Sequence, residues 1–217
     1  MKNVYEVMKT SPLFTGIDSG DFENMLGCLS AKTSVYKKDE FIVRAGDAVK
    51  MVGLIVKGGV RVIKEDIDGN VVILTEFKVP ELFCEAFVCA GARFIPVSVQ
   101  ASEDAEVLFI DYRKVIGQCA SACPHHARLI SNMLGLLARK SMLMNEKIDV
   151  MSKRTTREKL MCFFDYQRGG AKKFTIPYNR EELARYLCVD RSAMSNELCK
   201  MRDDGLIRFY RNAFEIV

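Results

Sequence analysis

The chain has 217 residues, a formal net charge of +4 and a composition 49% hydrophobic and 28% charged, which allows one large or two small domains with real cores. Met1 to Ser11 mixes Lys2, Glu6 and Lys9 with few apolar residues, and no apolar run approaches about 20 residues, so a soluble, cytoplasmic protein without a membrane partner is expected. Eight scattered cysteines lack zinc-knuckle spacing and form no disulfide framework, and the two histidines, His125 and His126, are too few for a multi-histidine metalloenzyme site.

Val4 to Leu29 reads as helical, broken at Ser11-Pro12 and reopened at Asp18-Ser19, with Phe22, Met25, Leu26 and Leu29 on one side. From Thr33 to Tyr112 the texture changes to short runs rich in Val, Ile and Phe between turn signals such as Ala45-Gly46-Asp47, Lys57-Gly58-Gly59 and Asp68-Gly69-Asn70. Such strands make a sandwich or small barrel. Gly53–Val56 with Val60–Lys64, and Ile63–Ile67 with Val71–Thr75, are expected as two successive hairpins.

A short helix is expected from Asp111 to about Ser121, and Pro124 then opens the longest one. Ile130, Leu134, Leu137, Ser141, Met144, Ile148 and Met151 alternate steps of four and three, the pattern of a coiled-coil seam. A second register, Leu129, Met133, Leu136, Lys140, Leu143, Lys147 and Val150, gives the helix another face to pack. One face can lie on the chain's own β-domain and the other on a second copy of the chain; the alternative is a single wide core-facing stripe in a monomer.

Thr155-Thr156 can cap a helix holding Leu160, Phe163 and Phe164, ended by Gly169-Gly170, and Lys172 to Ile176 reads as a strand. Asn179 then caps a helix, with Glu182 completing a capping box and Leu183, Ala184 and Leu187 on the buried face. Cys188 and Val189 carry a tight turn. Asp190 caps the next helix, in which Ala193, Met194, Leu198 and Met201 recur at helical spacing until Gly205. Leu206 to Val217 reads as a hairpin turning at Arg211-Asn212. Helix, strand, helix-turn-helix and hairpin together make a winged helix. From Ser152 onward there are fourteen Lys and Arg against nine Asp and Glu, while residues 1–151 hold eighteen against nineteen. The positive charge therefore sits in the segment that would meet phosphates.

A β-roll, a long dimerisation helix and a C-terminal winged helix in this order resemble the CRP/FNR family of bacterial transcription regulators. Pro12-Leu13-Phe14, the glycines at 46, 58 and 69, Leu82-Phe83-Cys84-Glu85-Ala86, and Asn179 to Gly205 followed by Leu206-Ile207 carry the resemblance. It implies an α+β chain: a cyclic-nucleotide-binding-like β-roll (double-stranded β-helix) with N-terminal helices over 1–123, a dimerisation helix over 124–151, and a winged-helix DNA-binding domain over 152–217. It also implies a homodimer on double-stranded DNA with palindromic half-sites, with RNA polymerase as a candidate partner. Carried over residue by residue, the base-reading positions fall on Arg191, Ser192 and Asn196, while Ser195, Lys200 and Arg211 fall to the DNA backbone. Family members commonly have Glu and Arg at the latter two base-reading positions, so their half-site preference does not transfer.

Cyclic-AMP-binding members hold the ribose with a Gly-Glu pair and the phosphate with an Arg-Ser pair. Here Glu85 matches the glutamate, Cys84 replaces the glycine, and Ile95-Pro96 stand where Arg-Ser would. Neither offers the charge-assisted donor that a buried phosphate needs, and Arg93 substitutes only if the loop is re-registered. Cyclic AMP is therefore not the expected effector; haem, a metal or a small organic molecule remains open. Cys28 is the sole cysteine before residue 84, so the N-terminal iron–sulfur site of the oxygen-sensing members is missing. Cys119, Cys123 and His126 at i, i+4 and i+7 are candidates for a metal, haem or thiol redox site, against the reading of inert thiols over the dimer helix.

The expected function is a sequence-specific transcription regulator in which an effector bound by the β-roll repositions two recognition helices. One rival is a small-molecule-binding protein with no DNA role, against which the basic C-terminal segment counts. The other is a cupin-type enzyme, which needs histidines on its strands; Thr33 to Tyr112 contains none.

Overall fold

The computed structural model describes residues 2–65, 68, 70–116 and 125–217. It divides into two compact units, Met1–Leu137 and Ala138–Val217. In the first, helix α1 (Lys2–Thr10) buries Val4, Val7 and Met8. It ends at Ser11, after which Pro12–Phe14 form a 3₁₀ turn that buries Leu13 and Phe14. The Asp18 carboxylate accepts from the Gly20 N–H (2.8 Å) and opens a 3₁₀ turn running into α2 (Phe22–Cys28). Phe22, Met25 and Leu29 are buried as their spacing requires.

The strands follow as β1 (Lys32–Tyr36), β2 (Phe41–Val43), β3 (Met51–Lys57), β4 (Gly59–Glu65), β5 (Val71–Lys78) and β6 (Leu82–Phe83). Helix α3 (Glu85–Cys89), β7 (Ser98–Ala101), β8 (Ala105–Asp111) and helix α4 (Tyr112–Ile116) complete this stretch. Two four-stranded antiparallel sheets result, ordered β1-β8-β3-β6 and β2-β7-β4-β5. The central strands β3 and β8 are buried on both faces, because side chains alternate across a strand. Val52, Leu54, Val56, Leu108 and Ile110 join the core made with the N-terminal helices, whereas Ile55 and Val107 join the core between the two sheets.

One expectation fails here. Gly53–Val56 and Val60–Lys64 do not form a hairpin: β3 and β4 belong to different sheets. Only Gly58 separates them, at φ +73°, and a Cβ at that position would collide with the Asp104 carbonyl oxygen. The chain turns a corner between sheets instead of pairing back on itself. The second hairpin forms with a longer span, from Gly59 opposite Lys78 to Glu65 opposite Val71. Ile67 and Gly69, assigned to this hairpin and its turn, lie outside the described residues, as do Gly117–Pro124.

Helix α5 (His125–Ser152) separates its two registers unevenly: in the second, Leu129, Met133 and Val150 are buried and Leu136 and Lys140 half-buried, but Leu143 and Lys147 are exposed. Leu129 and Met133 are buried in the core of the first unit and Val150 in that of the second. Ile130, Leu134, Ser141, Met144 and Ile148 are exposed, and Leu137 and Met151 are half-buried. In the second unit, Thr155 and Glu158 cap α6 (Thr156–Arg168) reciprocally, and Gly169 ends it at φ +51°. Next come β9 (Lys173–Thr175), α7 (Arg180–Leu187), α8 (Arg191–Asp203), β10 (Ile207–Tyr210) and β11 (Ala213–Ile216). The sheet is ordered β10-β11-β9. Phe163, Phe164, Leu183, Leu187, Met194, Leu198 and Phe214 fill the core, each worth about 1.5–3 kcal/mol of burial. Asp149 on α5 accepts from Lys153 Nζ (2.9 Å), Cys162 Sγ (3.2 Å) and Tyr166 Oη (3.0 Å), which hold its carboxyl down at about 2 and tie α6 to the end of α5.

Candidate nucleic-acid interface

The α7–α8 pair is assembled by local signals. The Asn179 side chain accepts from the Glu181 and Glu182 N–H groups, both at 2.9 Å, while Glu182 Oε2 accepts from the Asn179 N–H at 2.8 Å. Cys188 ends α7 in the left-handed region at φ 51°. Lys159 Nζ donates to the Leu187 carbonyl oxygen (3.2 Å), placing positive charge on the last turn of α7. Asp190 then accepts from the Ala193 N–H (2.8 Å) and starts α8.

Helix α8 buries Met194, Leu198 and Met201, leaving Arg191, Ser192, Asn196, Cys199 and Lys200 exposed. Ala193, expected among the helix's recurring apolar positions, is also exposed: it is one residue out of step with the 194–198–201 stripe. Ser195 is half-buried, and its hydroxyl donates to the Arg191 carbonyl oxygen (2.8 Å), so a phosphate contact requires that hydroxyl to turn away from its own helix. Among the described residues, none bonds the side chains of Arg191, Ser192 or Asn196 in competition with a base edge, and their outward face has the donor and acceptor chemistry of major-groove readout.

Two arginines that the motif does not single out brace this surface. Arg157, at the start of α6, donates to Glu197 Oε1 (2.5 Å) and pairs with Asp204 Oδ2 (2.7 Å), holding α8 at its middle and at its end. Glu197 and Asp204 are thereby neutralised. Arg180 lies over the rings of Phe209 and Phe214 and reaches the wing turn at Arg211, whose φ is 53°. No periodicity announces either arginine, because each acts across elements distant in sequence.

The candidate effector residues do not share one environment. Cys84 and Ile95 lie in the apolar core between the sheets with Phe83, Val97 and Val99. Burial beside Glu85 pushes the Cys84 thiol up to about 12, so it is a thiol and not a thiolate. Glu85 is buried, whereas Arg93 and Pro96 are exposed. The Arg93 guanidinium sits 5.5 Å from the Phe94 ring centroid. Of the candidate metal ligands, His126 is half-buried, and Cys119 and Cys123 lie outside the described residues. Among the described residues, no cluster of three or more His, Cys, Asp or Glu is placed to hold a metal ion, and no helix is long and apolar enough to cross a membrane.

Residues 33–121 match the model of the cyclic nucleotide-binding domain, and residues 155–217 that of the Crp-like helix-turn-helix domain. No curated protein sequence matches the chain. Among solved structures it is similar to the catabolite activator protein of Thermus thermophilus, at 22% identity over 95% of this chain and 94% of that one, with a TM-score of 0.55. It is also similar to CLP of Xanthomonas campestris, described as a c-di-GMP responsive global regulator (19%, 92% and 99%, TM-score 0.56). A third likeness is to DNR of Pseudomonas aeruginosa (14%, 100% and 95%, TM-score 0.53). At these identities the likeness is one of fold.

Proposed function

The chain belongs to the CRP/FNR family of transcription regulators, and from that premise we propose that it binds DNA as a homodimer, reading palindromic half-sites with α8. As a member it is a DNA-binding regulator with an effector-type β-roll. The observation that carries the finer reading is the division of α5 into two faces. Leu129, Met133 and Val150 are buried within the chain, while Leu134, Met144 and Ile148 remain 67, 64 and 61% exposed along one seam. A second copy packed on that seam would bury about 0.8 kcal/mol per methylene. It would also bring two recognition helices about 34 Å apart, one turn of DNA.

In this reading Arg191, Ser192 and Asn196 read bases, and Ser195, Lys200 and Arg211 fix register on phosphates. The segments 1–123, 124–151 and 152–217 serve as sensor, dimer helix and DNA-binding domain. The protein is cytoplasmic and not an enzyme. An effector in the β-roll shifts the seam between arrangements by binding them unequally.

That effector is not cyclic AMP. The phosphate end of the cassette carries Ile95, buried in the apolar core, and Pro96, which has no donor. Burying an anion there without a charged partner costs several kcal/mol. Selection from random DNA tests the function: an enriched inverted repeat with centres about 10 base pairs apart is expected, and no enrichment contradicts it. Melting with cyclic AMP tests the effector, since a ligand favouring the fold raises the melting temperature. No shift is expected.

A further inference from the structure

Arg180 is the first residue of α7, and neither the helix-turn-helix pattern nor the buried core explains it. Its guanidinium carbon lies 5.1 Å from the ring centroids of both Phe209 and Phe214, one ring from each strand of the wing. Its Nη2 donates to the Arg211 carbonyl oxygen at 2.9 Å. The same turn is held from the other side, where Asn212 Nδ2 donates to the Ile176 carbonyl (3.2 Å) and the Ile176 N–H donates to the Asn212 carbonyl (2.9 Å). Arg211 occupies the left-handed region at φ 53°. A residue with a Cβ stays there only when its surroundings over-determine it. Beyond the turn the Arg211 side chain is exposed, its guanidinium 5.5 Å from the ring centroid of the equally exposed Tyr210.

A planar guanidinium can stack on aromatic faces and still aim an N–H in its own plane at an acceptor; a lysine ammonium is a single point charge. Arg180 uses both properties at once, tying the start of the helix-turn-helix to the tip of the wing. We propose that Arg180 is the positioning residue of the wing: it fixes the Arg211 backbone so that the Arg211 guanidinium meets a DNA phosphate at a set place. This rests on the reading of Arg211 as a backbone contact.

The test is the affinity of the full chain for a selected operator across a range of salt, for Arg211→Ala, Arg180→Met, Arg180→Lys and the double variant R180M/R211A. Each is also melted. Arg211→Ala should lower the slope of log affinity against log salt by about 0.9, the value of one phosphate contact. Arg180→Met should produce the same loss, and the double variant no more than either single one. Arg180→Lys keeps the charge but not the fork, and it should share the slope loss; it decides the comparison if Arg180→Met is unfolded at the assay temperature. An unchanged slope in the Arg180 variants beside a reduced one in Arg211→Ala overturns the inference alone. Additive losses also overturn it, since Arg180 would then contact DNA independently. An unchanged slope in Arg211→Ala overturns the reading beneath it as well.

Discussion

Cys188 sits between α7 and α8 at φ 51°, with its side chain exposed and its thiol donating only a long bond to the Arg185 carbonyl oxygen (3.7 Å). The left-handed region costs a residue with a Cβ about 1–2 kcal/mol, and glycine gives back part of that relief as lost chain entropy. Cys188→Gly should therefore raise the stability of the winged helix by up to about 1 kcal/mol, read as a higher melting temperature. A lower one would mean the thiol contributes something its exposure does not show. Arg191 is exposed at the first turn of α8. Arg191→Ala should cost about 1–3 kcal/mol on a selected site and relax preference at one base pair. If the variant selects the same sequences as the parent, Arg191 is not a base reader. Single residues were legible wherever their role is local: Asn179, Thr155, Asp190 and Gly169 are caps, and each bonds or bends within three residues of itself. Arg157 and Arg180 were not, since Glu197 and Arg211 lie 40 and 31 positions away.

Among elements, α5 carries the clearest contrast. Met133 is 2% exposed and Leu134, its neighbour, 67% exposed. Met133→Ala should cost about 2–5 kcal/mol through loss of packing and the cavity left behind. Leu134→Glu should leave the melting of the isolated protomer nearly unchanged but shift sedimentation from dimer to monomer. Were Leu134→Glu to sediment like the parent, the seam would not join two copies. The buried positions Leu129, Met133 and Val150 could be written down from the sequence, because a helix's period is intrinsic to it, whereas Leu143 of the same register is 57% exposed. The β3–β4 corner could not. Whether two strands flanking a turn share a sheet depends on their partners, and here β8 takes β3 while β5 and β7 take β4. Read as the turn Lys57-Gly58-Gly59 the connection allows a hairpin; in the fold the strands run on until only Gly58 lies between them, too short for the usual two-residue hairpin loop.

For the whole molecule, the sequence revealed the order of parts and the site of positive charge, and the fold follows that order. The β-roll's ligand chemistry was less legible. Cys84 and Ile95 are neighbours in an apolar core, while Arg93 and Pro96 face outward. Position in a motif does not say which side of a loop a residue takes. The face of α8 proposed to meet DNA was more legible, because burial of Met194, Leu198 and Met201 leaves one choice for the exposed side.

The most direct test is the binding of the full chain to DNA carrying two selected half-sites, compared with the same DNA after insertion of about 5 base pairs, half a helical turn, between them. A dimer that presents two α8 helices on one side of the duplex should lose most of its affinity when the half-sites rotate to opposite sides, and recover much of it when about 10 base pairs are inserted and DNA flexibility allows. Equal affinity for the parent and half-turn DNA would contradict a two-helix, one-face mode of binding.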